Sequence, residues 1–431
     1  SCIIRGEGMG SPKVTAGTAA AFGGVSDTLT ALGIPCACCD DGPSGMRLDC
    51  GTKAFSLPNG TLLASTFDRP LMTELFTFMG LEMHTNQVDC LLGPGMNIHR
   101  HPLNGRNFEY FSEDPYLTGE MASAELAGLH STGAEGTIKH FCGNTRETRR
   151  HFLDSVISER ALREIYLRGF ENAVKKGGAK SVMTTYGQVN GVWTAGNYDL
   201  VTGILRDDWG FDGFTMTDWW ANINRRGKAP DKSDFAAMAM AQNDVYMVTA
   251  DGAACNDNTL DSLKSGELTR GELQRNAMNI LRFLTTTHAM KRVMGCDDET
   301  EIINRPADAG DVDSTDIEFH DIDEDLTLDL TGITTEKGSS YAFGLNVSKP
   351  GVYKVTLTAS STLSELAQTS VSIFALGSPC GMFTFNGTGG APVSQTKDVK
   401  CLSNFMPIRL YFGGSGLKTQ SIRFELKERW T

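Results

Sequence analysis

Several short apolar runs in the chain end abruptly in groups capable of chemistry. Asp218 closes the run Gly213–Thr217 and is followed by Trp219 and Trp220. A carboxylate beside indole rings suits a nucleophile next to a flat wall for a sugar ring. The same Asp after a strand also suits a plain helix cap. Lys139 and His140 end the run Thr137–Phe141. Burying an ammonium and an imidazole without partners is costly. The pair therefore suits two donors gripping hydroxyl groups, with Arg150 able to close the cluster. A lone His is equally a satisfied core residue. The segment Asn104–Pro115 packs Arg106, Glu109, Glu113 and Asp114 among aromatics. It reads either as part of a site or as a surface loop capping the next helix, its Arg in a weak ion pair. Asp41–Arg47, DGPSGMR, sets one acid and one base in a turn whose glycines turn chemistry alone explains.

These groups need a frame that brings them together. Up to about Met290 the chain alternates apolar runs with amphipathic stretches. The runs are Ile34–Cys38, Val88–Leu92, Thr137–Phe141, Ser181–Tyr186, Gly213–Asp218 and Val245–Thr249. Each reads as a buried parallel strand. One helix is predicted from an N-cap at Ser158 through Lys175 and Lys176, stopped by Gly177. Another begins around Glu113–Pro115, with Pro115 in its first turn. Strand–helix alternation means an α/β fold, here an irregular (β/α)8-type TIM barrel. Eight strands are needed and six are legible, so two are degenerate or hidden. In such barrels the site gathers at the carboxyl ends of the strands. Those ends carry Asp41, Lys139–His140, Tyr186 and Asp218.

Past Asp297 the texture changes. Tyr341–Val347, Gly351–Ala359, Thr369–Ala375, Phe383–Phe385, Ile408–Phe412 and Ser421–Leu426 are punctuated by Gly, Pro, Ser and Asn. They read as an all-β sandwich. The expected division is a barrel over residues 1–295, an acidic linker over 296–316 and the sandwich over 317–431.

The 431 residues carry a net charge of −13, from 39 basic and 52 acidic side chains. That balance argues against nucleic acid or an anionic membrane surface and suits a neutral substrate. Between Asp297 and Glu336 lie fifteen acids and one base, Arg305, so the rest of the chain is near neutral. The stretch reads as solvated, with a weaker calcium reading at Asp311, Asp313 and Asp316. No apolar run is long enough to span a bilayer. Eleven cysteines cannot all pair internally, and no CxxC spacing supports zinc. No metal or cofactor is expected. Buried reduced thiols point to a cytoplasmic protein. The sequons at Asn59, Asn346 and Asn386 pull toward an extracellular one.

Five segments in order resemble glycoside hydrolase family 3, the β-glucosidase type. They are DGPSGMR from Asp41, GRNFEYFSEDP from Gly105, KHFCGNTRETRR from Lys139, SVMTTYGQVNG from Ser181 and GFTMTDWW from Gly213. The resemblance covers the barrel region and does not extend securely to the sandwich. It implies that Asp218 is the nucleophile. It implies that Asp41, Arg106, Lys139, His140 and Arg150 bind the non-reducing sugar, with Arg47 supporting Asp41. It implies that Met183 and Tyr186 flank the nucleophile, and that Trp219 forms the wall toward the leaving group. The activity implied is a retaining exo-β-glycosidase, foremost a β-glucosidase, with β-xylosidase and β-N-acetylhexosaminidase as alternatives. Such chemistry uses two carboxyl groups about 5–5.5 Å apart. Arg and Lys nearby are expected to keep Asp218 ionised.

The family's two-domain members supply the acid/base, a Glu, from a further α/β domain, and residues 297–431 show no βαβ alternation. The chain therefore reads as the carboxyl-terminal portion of a permuted enzyme whose acid/base domain lies upstream. Relatives acting on N-acetylglucosaminides carry a P-G-H-G loop, and Phe141–Asn144, FCGN, lacks its His. His151 and Asp154 lie nearby on an expected helical approach. The visible ligands without a visible proton donor also suit a non-catalytic carbohydrate-binding protein.

Overall fold

A computed structural model describes the chain except residues 1, 9–10, 12, 16–17, 49–53, 250–251, 254–255, 297–316, 366, 377 and 431. The candidate calcium ligands Asp311, Asp313 and Asp316 lie outside the described residues, as does the expected linker beyond Cys296. The chain divides into two compact units, one within Ser1–Leu48 and Lys53–Arg305, the other within Pro306–Thr431.

The first unit is a near-closed barrel. Its strands are β1 (Arg5–Gly8), β2 (Ala20–Gly23), β3 (Cys36–Asp41), β4 (Cys90–Leu92), β5 (Glu135–Phe141), β6 (Ser181–Thr184), β7 (Phe214–Met216) and β8 (Tyr246–Thr249). They pair in the order β7-β6-β5-β4-β3-β2-β1-β8. A bridge from Met216 to Val245 approaches closure between β7 and β8. β2 runs antiparallel to both neighbours, and the other pairings are parallel. The two hidden strands are β1 and β2. Their residues, RGEG and AAFG, lack the β-branched run that marks a buried strand. β3 begins two residues later than expected and reaches Asp41, which puts that carboxylate on the strand's end.

Strand alternation divides the apolar residues between two cores. Leu91, Ile138 and Val182 pack with helices Arg69–Thr85, Pro115–Ser131 and Arg168–Lys175. Cys39, Cys90, Leu92, Met183, Met216 and Met247 join the other core with Ile280, Phe283 and Leu284 of helix Arg270–Leu284. Burial pushes the Cys90 thiol up to about 12, so it packs as a small apolar group. Asp114 caps Pro115–Ser131 by accepting from Tyr116 N, with Pro115 at the first helical position. Ser158 accepts from Ala161 N, but the expected helix is not uniform. Its turns widen at Leu162–Tyr166, where Leu167 N donates to Leu162 O, and tighten again over Arg168–Lys175. The left-handed stop is Gly178, φ +69, not Gly177. Gly177 is small for another reason: a Cβ there would lie 3.0 Å from the Ser123 backbone of the neighbouring helix.

The second unit is a sandwich of two sheets. One has five strands, in the order Phe319–Ile322, Ser340–Val347, Phe405–Phe412, Gln368–Ala375, Ser378–Asn386. The other has four, in the order Asp325–Asp329, Leu417–Arg429, Gly351–Ser361, Val393–Cys401. Inward residues such as Phe343, Val355, Ile373, Phe383, Ile408 and Phe424 make one core. The acidic stretch is not all solvated linker. Phe319–Ile322 and Asp325–Asp329 are strands within it, hidden in the sequence by their charge. Asp325 pairs with Arg423 across strands, and Lys349 holds Asp323 at 2.9 Å and Glu324 at 2.8 Å. Exposed pairs of this kind contribute about 0–1 kcal/mol. The buried core holds these strands; the pairs relieve their like-charge repulsion. No helix among the described residues is long and apolar enough to cross a membrane.

The strand that carries the candidate nucleophile is pinned by a buried ion pair. Asp244 Oδ2 accepts from Arg206 Nη2 at 2.7 Å and from Thr215 N at 2.9 Å. Its Oδ1 accepts from Asn276 and Asn279, each at 3.0 Å. One carboxylate thus ties β7 to the entry of β8 and to two helical segments. Substitution Asp244→Ala strands Arg206 without its counter-charge and is expected to cost about 3–5 kcal/mol. Chemical unfolding followed by tryptophan fluorescence measures it, and a loss under 1 kcal/mol contradicts the assignment.

Candidate active site

The site is built from the carboxyl ends of five neighbouring strands and the loops that follow them. β3 ends in Asp41, and the loop after β4 carries Arg106 and Glu109. β5 supplies Lys139 and His140. Met183 lies on β6, with Tyr186 just beyond it, and Asp218 follows β7. In barrels of this class the chemistry gathers at this rim.

Asp218 is buried, 6% exposed. Its Oδ1 accepts from Trp219 N at 2.8 Å. Its Oδ2 makes no hydrogen bond among the described residues and faces His140 Nε2 at 3.7 Å. No helix starts at Trp219, so Asp218 is not a helix cap. Burial raises its pKa to about 6; Arg106, the Trp219 N–H, Lys139 and the Tyr186 hydroxyl oppose the rise without cancelling it. The neighbouring cations were expected to lower its pKa. Here desolvation outweighs them, because the carboxylate is fully enclosed and one oxygen lacks a donor.

The surrounding charges are arranged in pairs. Lys139, 3% exposed at its side chain, has Asp41 Oδ1 at 3.4 Å and Glu109 Oε2 at 3.7 Å. Glu109 also pairs with Arg106, and both are largely enclosed. The Arg106 loop is therefore anchored inward and is not a weak surface pair. Glu125 adds a third carboxyl from helix Pro115–Ser131. Burial lifts its pKa well above the ordinary carboxylate value, and Lys139 opposes the rise. Burial, with Arg106, Lys139 and Arg150, holds His140 well below the usual imidazole value, so its ring is neutral. Its Nδ1 meets the Tyr110 hydroxyl at 3.1 Å, and its backbone N–H donates to Asn97 Oδ1 at 2.9 Å.

The other predicted residues sit around this centre. Tyr186, 5% exposed, lies with its ring under the Arg150 guanidinium, 4.5 Å away. Arg150 donates to Glu147 Oε2 at 3.0 Å. Met183 is buried in the core shared with Tyr186. Trp219 is half-buried beside Asp218, while Trp220 is 54% exposed in a left-handed conformation. Arg47 is exposed; its backbone N–H donates to Asp41 O at 2.7 Å and closes the turn. Gly45 in that turn has φ +118, and a Cβ would come within 2.2 Å of Phe55 O. His151 is in a turn, not on a helical approach, and its ring lies 4.2 Å from that of Tyr186. Asp154 opens a two-residue strand, where its carboxylate accepts from Gly191 N. Sequence reading missed Tyr110, Asn97, Asn144 and Glu147. They are neutral or paired side chains, with no spacing that marks them. No cluster of three or more metal-ligating side chains occurs among the described residues.

The fold sets one enclosed carboxylate amid donors for hydroxyl groups at the carboxyl end of a barrel. Residues 3–283 match the Glycosyl hydrolase family 3 N terminal domain. The chain belongs to glycosyl hydrolase family 3. A Beta-glucosidase of Ruminococcus albus is 62% identical over 444 residues, spanning all of this chain and 47% of that protein. The crystal structure of a β-glucosidase from Paenibacillus barengoltzii matches with TM-score 0.67 and 44% identity over 98% of this chain and 46% of that one. The β-glucosidase 3B of Thermotoga neapolitana, solved in complex with α-D-glucose, matches with TM-score 0.61 and 37% identity. That match covers 69% of this chain and 42% of its own. The chain thus spans about half the length of the relatives it matches.

Enclosing the Asp218 charge has a cost that titration should reveal. Its folded pKa lies above the ordinary 3.8. Below pH 4 both folded and unfolded forms are protonated and no penalty exists. Above pH 6 the folded form bears the full penalty of a poorly solvated charge. Asp218→Asn is therefore expected to stabilise the fold at pH 7–8 by about 1–3 kcal/mol. The gain should vanish as pH falls from 6 to 4. Melting temperatures across that range test the sign; an Asn variant less stable at pH 7 is the contrary result.

Proposed function

We propose that this chain is the nucleophile-bearing part of a retaining exo-β-glucosidase. Asp218 attacks the anomeric carbon of a terminal non-reducing β-D-glucosyl residue and forms a covalent glycosyl-aspartate. The observation that carries this reading is the Asp218 Oδ2 atom: buried, without a hydrogen bond among the described residues, and surrounded by fixed donors. Such an oxygen is free to bond carbon. Above pH 6 it is ionised, and a poorly solvated negative charge stabilises the oxocarbenium-like transition state strongly.

The remaining roles follow from chemistry and position. Asp41, Lys139, Arg106, His140 and Arg150 grip the ring hydroxyls; orientation of this kind can contribute several kcal/mol. Arg47 steadies the Asp41 turn through its backbone. Met183 and Tyr186 flank the nucleophile, and Trp219 walls the leaving-group side. The proton for the departing oxygen comes from a Glu in another part of the polypeptide, upstream of the barrel. The name of the R. albus relative supports the activity, and that protein's extent beyond this chain leaves room for a donor elsewhere in such a polypeptide.

An activated 2-deoxy-2-fluoroglucoside separates catalysis from simple binding, because its leaving group needs no acid. Full-length protein should gain a glycosyl adduct on the peptide containing Asp218, seen by mass spectrometry. Asp218→Asn should abolish the adduct and lower turnover of aryl β-glucosides on the order of 10³-fold or more. Sugar binding without any adduct would instead favour a carbohydrate-binding protein.

A further inference from the structure

Asn144 connects two sides of the pocket through a single carboxamide. It is buried, 4% exposed, three residues past the end of β5. Its Nδ2 lies 2.9 Å from Glu147 Oε1 and 2.9 Å from the Tyr110 hydroxyl. A carboxylate only accepts, so Glu147 fixes which end of the amide faces it. The second proton of the same nitrogen goes to Tyr110. That hydroxyl keeps its own proton, since burial raises its pKa far above the ordinary value. The acceptor within reach is His140 Nδ1, at 3.1 Å. Asn97 Oδ1 is farther from Nδ1, at 3.4 Å, and already accepts the His140 backbone N–H at 2.9 Å. With Nδ1 accepting, the neutral ring carries its proton on Nε2, the atom that faces Asp218 Oδ2. On the other side, Glu147 Oε2 holds Arg150, whose guanidinium lies over Tyr186. Tyr186 in turn acts on Asp218. The contacts form a loop that leaves Asp218 through His140 and returns through Tyr186.

We propose that Asn144 is a positioning residue that sets the tautomer of His140 and the placement of Arg150 together, so that His140 presents Nε2–H to the sugar and to Asp218. The proposal rests on the reading that a pyranose occupies this pocket. The charged and titratable groups facing His140 are Asp218, Tyr110, Arg106, Lys139 and Arg150. The three cations disfavour a charged ring, so the choice lies between two neutral tautomers. Asn144→Asp keeps the shape and exchanges the donor for an acceptor. Tyr110 then donates to the new carboxylate, Nδ1 must donate in turn, and the lone pair of Nε2 turns toward Asp218. The new charge also stands beside Glu147 and loosens its hold on Arg150.

The test is solid-state nitrogen NMR on full-length protein carrying ¹⁵N-labelled histidine, with His140 assigned by its loss in His140→Gln. Wild type should show a protonated Nε2 and a bare Nδ1, and folded Asn144→Asp should show the reverse. If that variant does not fold, Tyr110→Phe removes the relay without adding charge and should lose the Nε2–H preference. With an aryl β-glucoside, kcat/KM of Asn144→Asp should fall about 100-fold. A protonated Nδ1 in wild type, or an unchanged tautomer in folded Asn144→Asp, overturns the proposal. The spectra do not depend on turnover. A protein inert toward β-glucosides would sink the functional reading while leaving the tautomer result intact.

Discussion

The architecture of the rim depends on holding one carboxylate charge out of water. Asp218 Oδ1 accepts from the backbone N–H of Trp219, Oδ2 makes no hydrogen bond among the described residues, and the Tyr186 hydroxyl nearby favours its charge. Full satisfaction of both oxygens would lower its pKa and make it a weak nucleophile. Removal of the cations would leave it protonated at neutral pH. The site lies between these limits. Arg106 and Lys139 act at a distance as fixed charges, and Oδ2 makes no hydrogen bond among the described residues. The carboxylate is thus ionised at neutral pH yet badly solvated, a state that positive charge brought against it would relieve.

Fixed charges can act this way only if they are fixed. Each cation near Asp218 is held by an acid of its own: Lys139 by Asp41 and Glu109, Arg106 by Glu109, Arg150 by Glu147. Glu125 lies buried beside this cluster, where desolvation favours its uncharged form. Underneath, Asp244 and Arg206 hold β7 and the approach to β8, so the strand that ends before Asp218 cannot slide. The pairs at the rim are therefore partly positional. Their Coulomb gain is offset by desolvation, and what they secure is the geometry of the donors around Asp218.

The sequence made the charged parts of this site legible and the neutral parts illegible. Asp218, Lys139, His140 and Asp41 stand out because a polar group ends an apolar run, which only a strand's carboxyl end explains. Arg106 and Arg150 stand out through the family resemblance, since their own surroundings in the chain read as loop. Tyr110, Asn97 and Asn144 carry no such contrast. Their importance comes from distances between segments far apart in the chain. The strands β1 and β2 escaped because Arg5 and Glu7 alternate with glycine in one and small residues dominate the other, so neither shows a β-branched run. The acidic strands near Asp325 escaped because charge masked the alternation. The pKa of Asp218 was misjudged because neighbouring cations are visible in sequence, whereas the depth of burial is not.

A retaining mechanism asks two carboxyl groups to behave oppositely, one ionised before attack and one protonated until the leaving oxygen departs. Within this chain the acids near the pocket are already committed. Asp41 and Glu109 balance Lys139, Glu147 balances Arg150, and Glu125 is buried behind the lysine. Drafting Asp41, Glu109 or Glu147 as a proton donor would release a cation held near Asp218. Placing the donor on a separate part of the polypeptide avoids that conflict. The nucleophile's surroundings can then be tuned for negative charge, and the acid's for keeping its proton, with neither carboxyl forced to share the other's dielectric.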